Sequence, residues 1–396
     1  MAGPELAKES PAMQFVRVVL LIIAAVGAAW PAVAQSQYTG DGTPTGLEEE
    51  IRWKLNRGRF DSVSENLTRG TAYTDVPASS GPLAPNQSIT MAARHQSEDM
   101  AKANLFQHAT VTNSLYYNPI TQPNPWDRMS AEGFSWNSAG ENIAAGYSGA
   151  ETVYLSWWNS AAGHRANMYN GALREIGNGY YNWSSSTYKS YYTMDLGSSG
   201  NNCYFTDTTF QDVNGNGIYE QAESVSGVAI RLLVGSAPSS YYDISSVVGS
   251  FAIPIQSIAA GATVQVVLSN TTTASLTLSI PQDYHRYSTM SLAPGESRLY
   301  GTFVRPVTTG NVGLRNVTPV MVAVAPVISI VPNNTSIILS WSSDSTMEYQ
   351  PQWTTDFVSW NGLTNNFLPG TGSNLTYIDA ATSPGAKFYR LLVRKP

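Results

Sequence analysis

A single cysteine, Cys203, stands among 396 residues. No disulfide within the chain can brace it, so large buried cores must hold it together. Charge is sparse as well: 13% of the residues are Asp, Glu, Lys or Arg, and the acids outnumber the bases to give a formal net charge of −6. Nucleic acid needs a positive face, so it is an unlikely partner class. Only four histidines occur, His95, His108, His164 and His285. No two of them have the His-x-x-x-His spacing that puts two metal ligands on one helical face. No Gly-x-Ser-x-Gly elbow is present, and no serine stands recognisably beside a base and an orienting acid, so nucleophilic catalysis has no support. Beyond the N-terminus no segment is long and apolar enough for a membrane anchor.

What is present begins with an address. Arg17 precedes the uncharged run from Val18 to Trp30, followed by the small-residue triplet Ala32-Val33-Ala34. This pattern predicts a secretory signal peptide over residues 1–34, cleaved after Ala34; an uncleaved anchor is the alternative. The segment contains Lys8 and Arg17 against Glu5 and Glu9, so cleavage leaves the net charge unchanged. A secreted or cell-surface location follows, with no stable membrane span after cleavage.

The texture of the chain then changes twice, which predicts three folded parts. After a linker at 35–46, residues 47–200 carry helical periodicity: Leu47, Ile51 and Leu55, then Ile89, Ala92, Ala93, Met100 and Ala103, then a stretch near Ala150 to Ser160. Residues 203–305 alternate in short runs such as Val228-Ala229-Ile230-Arg231-Leu232 and Thr263-Val264-Gln265-Val266, the pattern of an antiparallel β-sandwich. A proline-bearing linker is expected at 306–326, and a second sandwich at 327–396. Cys203, beside Tyr204 and Phe205, reads as a buried thiol rather than a nucleophile. His95 reads as a packed or hydrogen-bonded helix residue and His285 as a surface or turn residue.

Landmarks in the first part fall in a distinctive order: Ala93-Arg94-His95, Phe106-Gln107-His108, Trp126-Asp127-Arg128, Gly140-Glu141-Asn142, Trp157-Trp158-Asn159-Ser160, Gly163-His164-Arg165, Glu175-Ile176-Gly177 and Tyr191-Tyr192-Thr193-Met194-Asp195-Leu196-Gly197. This ordered set resembles the bacterial branch of the CAP superfamily, the group of cysteine-rich secretory proteins, antigen 5 and pathogenesis-related 1 proteins, also called SCP-like. The resemblance implies an α+β fold, an α-β-α sandwich with a surface cleft lined in many members by two histidines and two acids. His108 and Glu141 match two of those positions. Ser160 and Tyr191 stand where the other acid and histidine would be, and His164 is a candidate substitute.

Neutral imidazoles and a carboxylate are competent ligands for Zn²⁺ or another divalent metal, so His108, Glu141 and His164 form a candidate metal site. The same three are the candidates for metal-assisted or acid–base hydrolysis, the alternative to a binding role. In a third reading Glu141 braces the backbone while His164 and Arg165 hold their turn by hydrogen bonds. The domain's aromatic load, including Trp126, Trp136, Trp157, Trp158, Tyr147 and Tyr192, is mostly core, with some rings available to a lipid, sterol or glycan groove.

A second signal is sharper. Asp212-Val213-Asn214-Gly215-Asn216-Gly217-Ile218, ending at Glu223, fits Asp-x-Asn-x-Asn-Gly-x5-Glu, the spacing of a Ca²⁺ loop. Asp212, Asn214, Asn216, the Ile218 carbonyl and Glu223 are the expected ligands. The flanks look like strands, so a structural ion is expected rather than a sensor. With Val225-Ser226-Gly227-Val228 and Gly249-Ser250-Phe251, this stretch resembles the calcium-binding B-type, prealbumin-like repeats of bacterial surface proteins. The last part, with Trp341, Trp353, Trp360 and Phe388-Tyr389-Arg390, loosely resembles immunoglobulin or fibronectin type III sandwiches. These features predict an exported modular protein for extracellular binding or adhesion, with calcium stiffening stalk-like β-modules. Whether it is an enzyme is left open, with binding the leading expectation; its ligand would be a protein, glycan, lipid or sterol.

Overall fold

The structure is a computed structural model describing residues 40–235, 241–319, 328–333, 336–343, 347–356, 359–371, 373–380 and 387–394. The expected signal peptide lies outside the described residues, as do residues 35–39 of the first linker and residues 320–326 of the second. The first domain holds six helices: α1 (Gly46–Phe60), α2 (Ser62–Arg69), α3 (Gln87–Ala103), α4 (Pro125–Ala131), α5 (Ala150–Trp158) and α6 (His164–Tyr169). Its strands are β1 (Ala84–Pro85), β2 (Ser138–Ala145), β3 (Glu175–Asn182) and β4 (Ser190–Ser198), in the sheet order β1-β3-β4-β2.

Alternation along β4 sorts its side chains between two helical layers. Tyr192, Met194 and Leu196 join Ile51 and Leu55 of α1 and Val153, Tyr154 and Trp157 of α5 in one core. On the other face Tyr191 packs with Met100 and Ala101 of α3, and Ser97 of α3 donates to Thr193 Oγ1 at 2.9 Å. Helices therefore cover both faces of the sheet, giving an α+β domain. The layers approach closely because β3 carries Gly177 and Gly179, where a Cβ would strike the α3 backbone at Ile89–Thr90 and at Ala93.

Helix α1 starts at a capping box, Thr45 N donating to Glu48 Oε2 at 2.7 Å and Glu48 N to Thr45 Oγ1 at 3.4 Å. The spacing of Leu47, Ile51 and Leu55 predicts one apolar stripe, yet Glu49, Arg52, Trp53 and Lys54 are also buried. The second module covers Glu49, Arg52 and Trp53, whereas Lys54 pairs with Glu50 and with Glu151 of α5.

That module contains β5 (Tyr204–Thr208), β6 (Val228–Val234), β7 (Tyr241–Ile244), β8 (Ser250–Pro254), β9 (Thr263–Asn270), β10 (Leu276–Pro281), β11 (Tyr287–Leu292), β12 (Ser297–Val304) and β13 (Thr318–Pro319). They form a five-stranded sheet β13-β12-β9-β6-β7 and two-stranded sheets β5-β8 and β10-β11. One core, including Phe205, Ile230, Phe251, Val266, Leu278 and Phe303, joins them. Part of the expected linker belongs here: Val312, Leu314 and Val317 enter this core, and β13 pairs with β12. Apolar residues at 312, 314 and 317 find a ready hydrophobic face, which local proline content does not reveal. Cys203 is buried in the same core, its Sγ 3.1 Å from the Arg305 guanidinium. Burial pushes its thiol pKa up, against the pull of Arg305.

The C-terminal region is mostly strands: β14 (Ser329–Asn333), β15 (Ser336–Ser342), β16 (Glu348–Thr354), β17 (Asn361–Gly362), β18 (Leu368–Pro369), β19 (Asn374–Asp379) and β20 (Phe388–Arg394). They form the sheets β14-β15-β19 and β17-β16-β18, with β20 on β16. Leu339, Trp341 and Tyr349 centre their shared core.

Candidate functional site

The cleft residues come from three separate stretches. His108 follows α3 on a loop that begins at Asn104, whose φ of 53° ends the helix in a left-handed turn. Glu141 sits on β2 and Arg128 on α4. Glu141 is almost fully buried, with Oε1 2.7 Å from His108 Nδ1 and Oε2 2.5 Å from the Arg128 guanidinium. Arg128 also donates to the His108 carbonyl at 3.0 Å and to Thr110 Oγ1 at 3.1 Å. Both carboxylate oxygens are therefore engaged, and the imidazole of His108, about half exposed, turns its other nitrogen away from Glu141.

Behind Glu141 stands a carboxyl group that the sequence reading did not single out. Asp195 is its cross-strand partner on β4 and is completely buried. Neither of its oxygens meets a hydrogen-bond donor. Burial drives its pKa well above the ordinary carboxylate range, and the charge of Glu141 adds to the shift while Arg128 opposes it. Burial beside Glu141 thus favours the protonated form of Asp195.

His164 opens α6, and Gly163 before it has φ 95°. Helix α5 ends at Trp158, so Ser160 and His164 do not share a helix. They nevertheless line one cavity of about 310 Å³, with Phe106, Ile143, Ala144, Ala145, Tyr147, Ser156, Trp157 and Tyr188. The His164 carbonyl accepts from Asn142 Nδ2 at 3.0 Å, while its Nδ1 is buried with no partner. Burial lowers its pKa, and nearby His108 lowers it further, so the ring is neutral near pH 7. Tyr191 is fully buried in the α3-facing core, outside the cavity lining.

Other expected residues fall elsewhere. His95 Nδ1 is 2.9 Å from Glu132 Oε1 and 3.1 Å from the Tyr117 hydroxyl, and its ring stacks on Tyr116 with centroids 3.7 Å apart. His285 is exposed at a bend.

The 212–223 loop is ordered by its own side chains. Asp212 accepts from the N–H groups of Asn216 at 3.0 Å and Gly217 at 2.8 Å; Asn214 Oδ1 accepts from Asn216 N, and Asn216 Oδ1 from Ile218 N. Glu223 accepts from Val213 N and Glu220 N. Gly215 and Gly217 have φ of 72° and 71°, which glycine adopts freely. Glu220, absent from the expected ligand set, accepts from the side-chain amides of both Asn214 and Asn216. Its signal was the ninth loop position, a usual place for a direct or water-mediated ligand. Among the described residues no cluster of three or more His, Cys, Asp and Glu side chains is arranged to hold a metal. The loop instead combines carboxylates with amide and carbonyl oxygens, a donor chemistry that suits Ca²⁺.

With this geometry in place, comparison with known proteins is informative. Residues 77–196 match the model of the CAP family, the cysteine-rich secretory protein family. They form a CAP domain. Helices α1 and α2 precede the matched residues, while the cleft residues His108, Arg128, Glu141, His164 and Asp195 all fall inside them. The uncharacterised protein YkwD of Bacillus subtilis is 37% identical over 99 residues, 25% of this chain and 35% of that protein. This chain thus covers about a third of the length of that relative. An extracellular protein of Bacillus anthracis containing an SCP domain is 25% identical, over 39% of this chain and 41% of its own, with a TM-score of 0.28. An outer surface protein of Borrelia burgdorferi is 14% identical, over 38% of this chain and 90% of its own, also with a TM-score of 0.28. Among the described residues no helix is long and apolar enough to cross a membrane.

Proposed function

We propose that this is an exported binding protein whose CAP cleft recognises a ligand carrying an apolar or ring-shaped moiety and a hydrogen-bonding group. The cavity lined by His164 carries this reading. Phe106, Tyr147, Trp157 and Tyr188 offer aromatic wall, and Ser156, Ser160 and the neutral His164 offer polar contacts. Export rests on the signal-peptide pattern of residues 1–34. Lipids, sterols and glycans meet the ligand description, and calorimetric titration against a panel of them is the test. Phe106→Ala and Tyr188→Ala, both at partly exposed rings, should weaken binding about tenfold or more. If every class fails to bind folded wild-type protein, the reading is wrong.

Hydrolysis is the second reading, favoured by the 2.7 Å pair of His108 and Glu141, which orients an imidazole as a general base requires. It demands turnover that disappears in His108→Ala while folding survives. Glu141→Ala is a poor probe, because it strips the partner from the fully buried Arg128 and should cost about 3–5 kcal/mol; Glu141→Gln is the better variant. For Zn²⁺ in the cleft the donor set fits poorly, since both oxygens of Glu141 are taken.

In the second module the donor set fits Ca²⁺. Asp212, Asn214, Asn216, Glu220, Glu223 and the Ile218 carbonyl would hold the ion, whose charge would neutralise the loop carboxylates. The module is read as a prealbumin-like B-type repeat and the C-terminal region as an immunoglobulin or fibronectin III-like sandwich.

A further inference from the structure

We infer that calcium in the 212–223 loop fastens the second module onto helix α1 of the CAP domain. The inference rests on the calcium reading above and adds what the ion would do. Tyr219 stands between two ligand positions, the Ile218 carbonyl and Glu220. Its ring is fully buried, 6.3 Å from the ring of Trp53 on α1 and 5.8 Å from that of Phe210. Trp53 and Phe210 meet edge to face at 5.7 Å. These three rings form a small core of their own, built from one CAP residue and two module residues. The Tyr219 hydroxyl is pinned in turn, donating to the Val248 carbonyl at 3.1 Å and lying 2.7 Å from Ser224 Oγ.

The loop touches α1 at a second point. Gln221 donates to Glu50 at 3.2 Å, and the backbone of Gly46 passes so close that a Cβ there would sit 3.0 Å from the Gln221 side chain. Fixing the backbone at 218 and at 220–223 thus fixes both contacts with the helix. Removing the ion leaves the carboxylates of Asp212, Glu220 and Glu223, gathered in one loop, repelling one another. Repulsion loosens the loop, and Tyr219 loses its seat against Trp53. Other links between the domains lie far from the loop in sequence, including Asn311 Nδ2 donating to the carbonyls of Pro82 at 2.7 Å and Arg174 at 2.6 Å. They provide an internal reference.

The test is hydrogen-exchange mass spectrometry of the whole protein with excess Ca²⁺ or with chelator, alongside calorimetric Ca²⁺ titration. Calcium should slow exchange about tenfold or more in both the loop and Gly46–Phe60, leaving residues 311–319 nearly unchanged. In Tyr219→Leu the loop should still bind and become protected while α1 no longer responds. If that variant does not fold, Trp53→Phe takes its place. Calcium binding that protects the loop but not α1 in wild-type protein overturns the fastening and leaves the calcium reading intact. An α1 response that persists in the variant also overturns it. No heat and no loop protection sinks both.

Discussion

Asp195 is the residue with the clearest energetic signature. Its carboxyl is buried beside Glu141, and its pKa is raised, so the folded state holds a proton that the unfolded chain releases above pH ~4. Stability from this group is fully present below that pH and declines as pH rises. Asp195→Asn keeps a donor toward Glu141 without the titration, and its unfolding free energy should exceed that of wild type at pH 7, by an amount on the order of 1 kcal/mol, and match it near pH 3. His164 works in the opposite sense. Its pKa is lowered, so stability is fully present above about 6.5 and declines as pH falls through that value toward the folded pKa. Melting curves of wild type and His164→Gln between pH 8 and 5 should therefore diverge below about 6.5, with wild type losing more. Neither shift could be read from the sequence, because each depends on what surrounds the side chain after folding.

At the scale of elements, periodicity located α1, α3 and α5, whose apolar stripes are long enough to register. The short helices α2, α4 and α6 escaped it, being one or two turns each. The motif order also brought out His108 and Glu141, which do meet, and His164, which faces the neighbouring cavity. Arg128 was visible only as part of Trp126-Asp127-Arg128; nothing local marks it as the second partner of Glu141, because α4 and β2 meet only through the tertiary fold. The contact between α3 and β3 gives a sharp test. Gly177→Ala would push a methyl into the α3 backbone, which cannot rotate away as a side chain can. A loss of about 1–3 kcal/mol or more is expected in denaturant unfolding. A silent substitution would show that the two layers are looser than described.

For the whole molecule, the second module is a covering layer for α1 rather than a stalk standing clear of the CAP domain. Arg52 donates to Thr208 Oγ1 at 3.0 Å and to the Asp207 carbonyl at 3.1 Å, and Tyr284 donates to Glu65 of α2. Trp53→Ala, which removes a fully buried ring between the two, should cost about 3–5 kcal/mol. Chelation should lower the melting temperature, calcium at a hundred times its Kd contributing about 2.7 kcal/mol. A melting temperature indifferent to calcium would refute a structural ion. The sequence by itself determined the elements whose signal is local: the long amphipathic helices, the alternating strands, the spacing of the 212–223 loop and the ordered landmarks of a CAP domain. Tertiary structure alone decided that Glu141 is shared between Arg128 and His108, that the Asp195 carboxyl is buried behind it, and that a polar helix is buried all round. Each of these arises where residues distant in the chain exclude water from one another, and that exclusion sets charge state and contact energy.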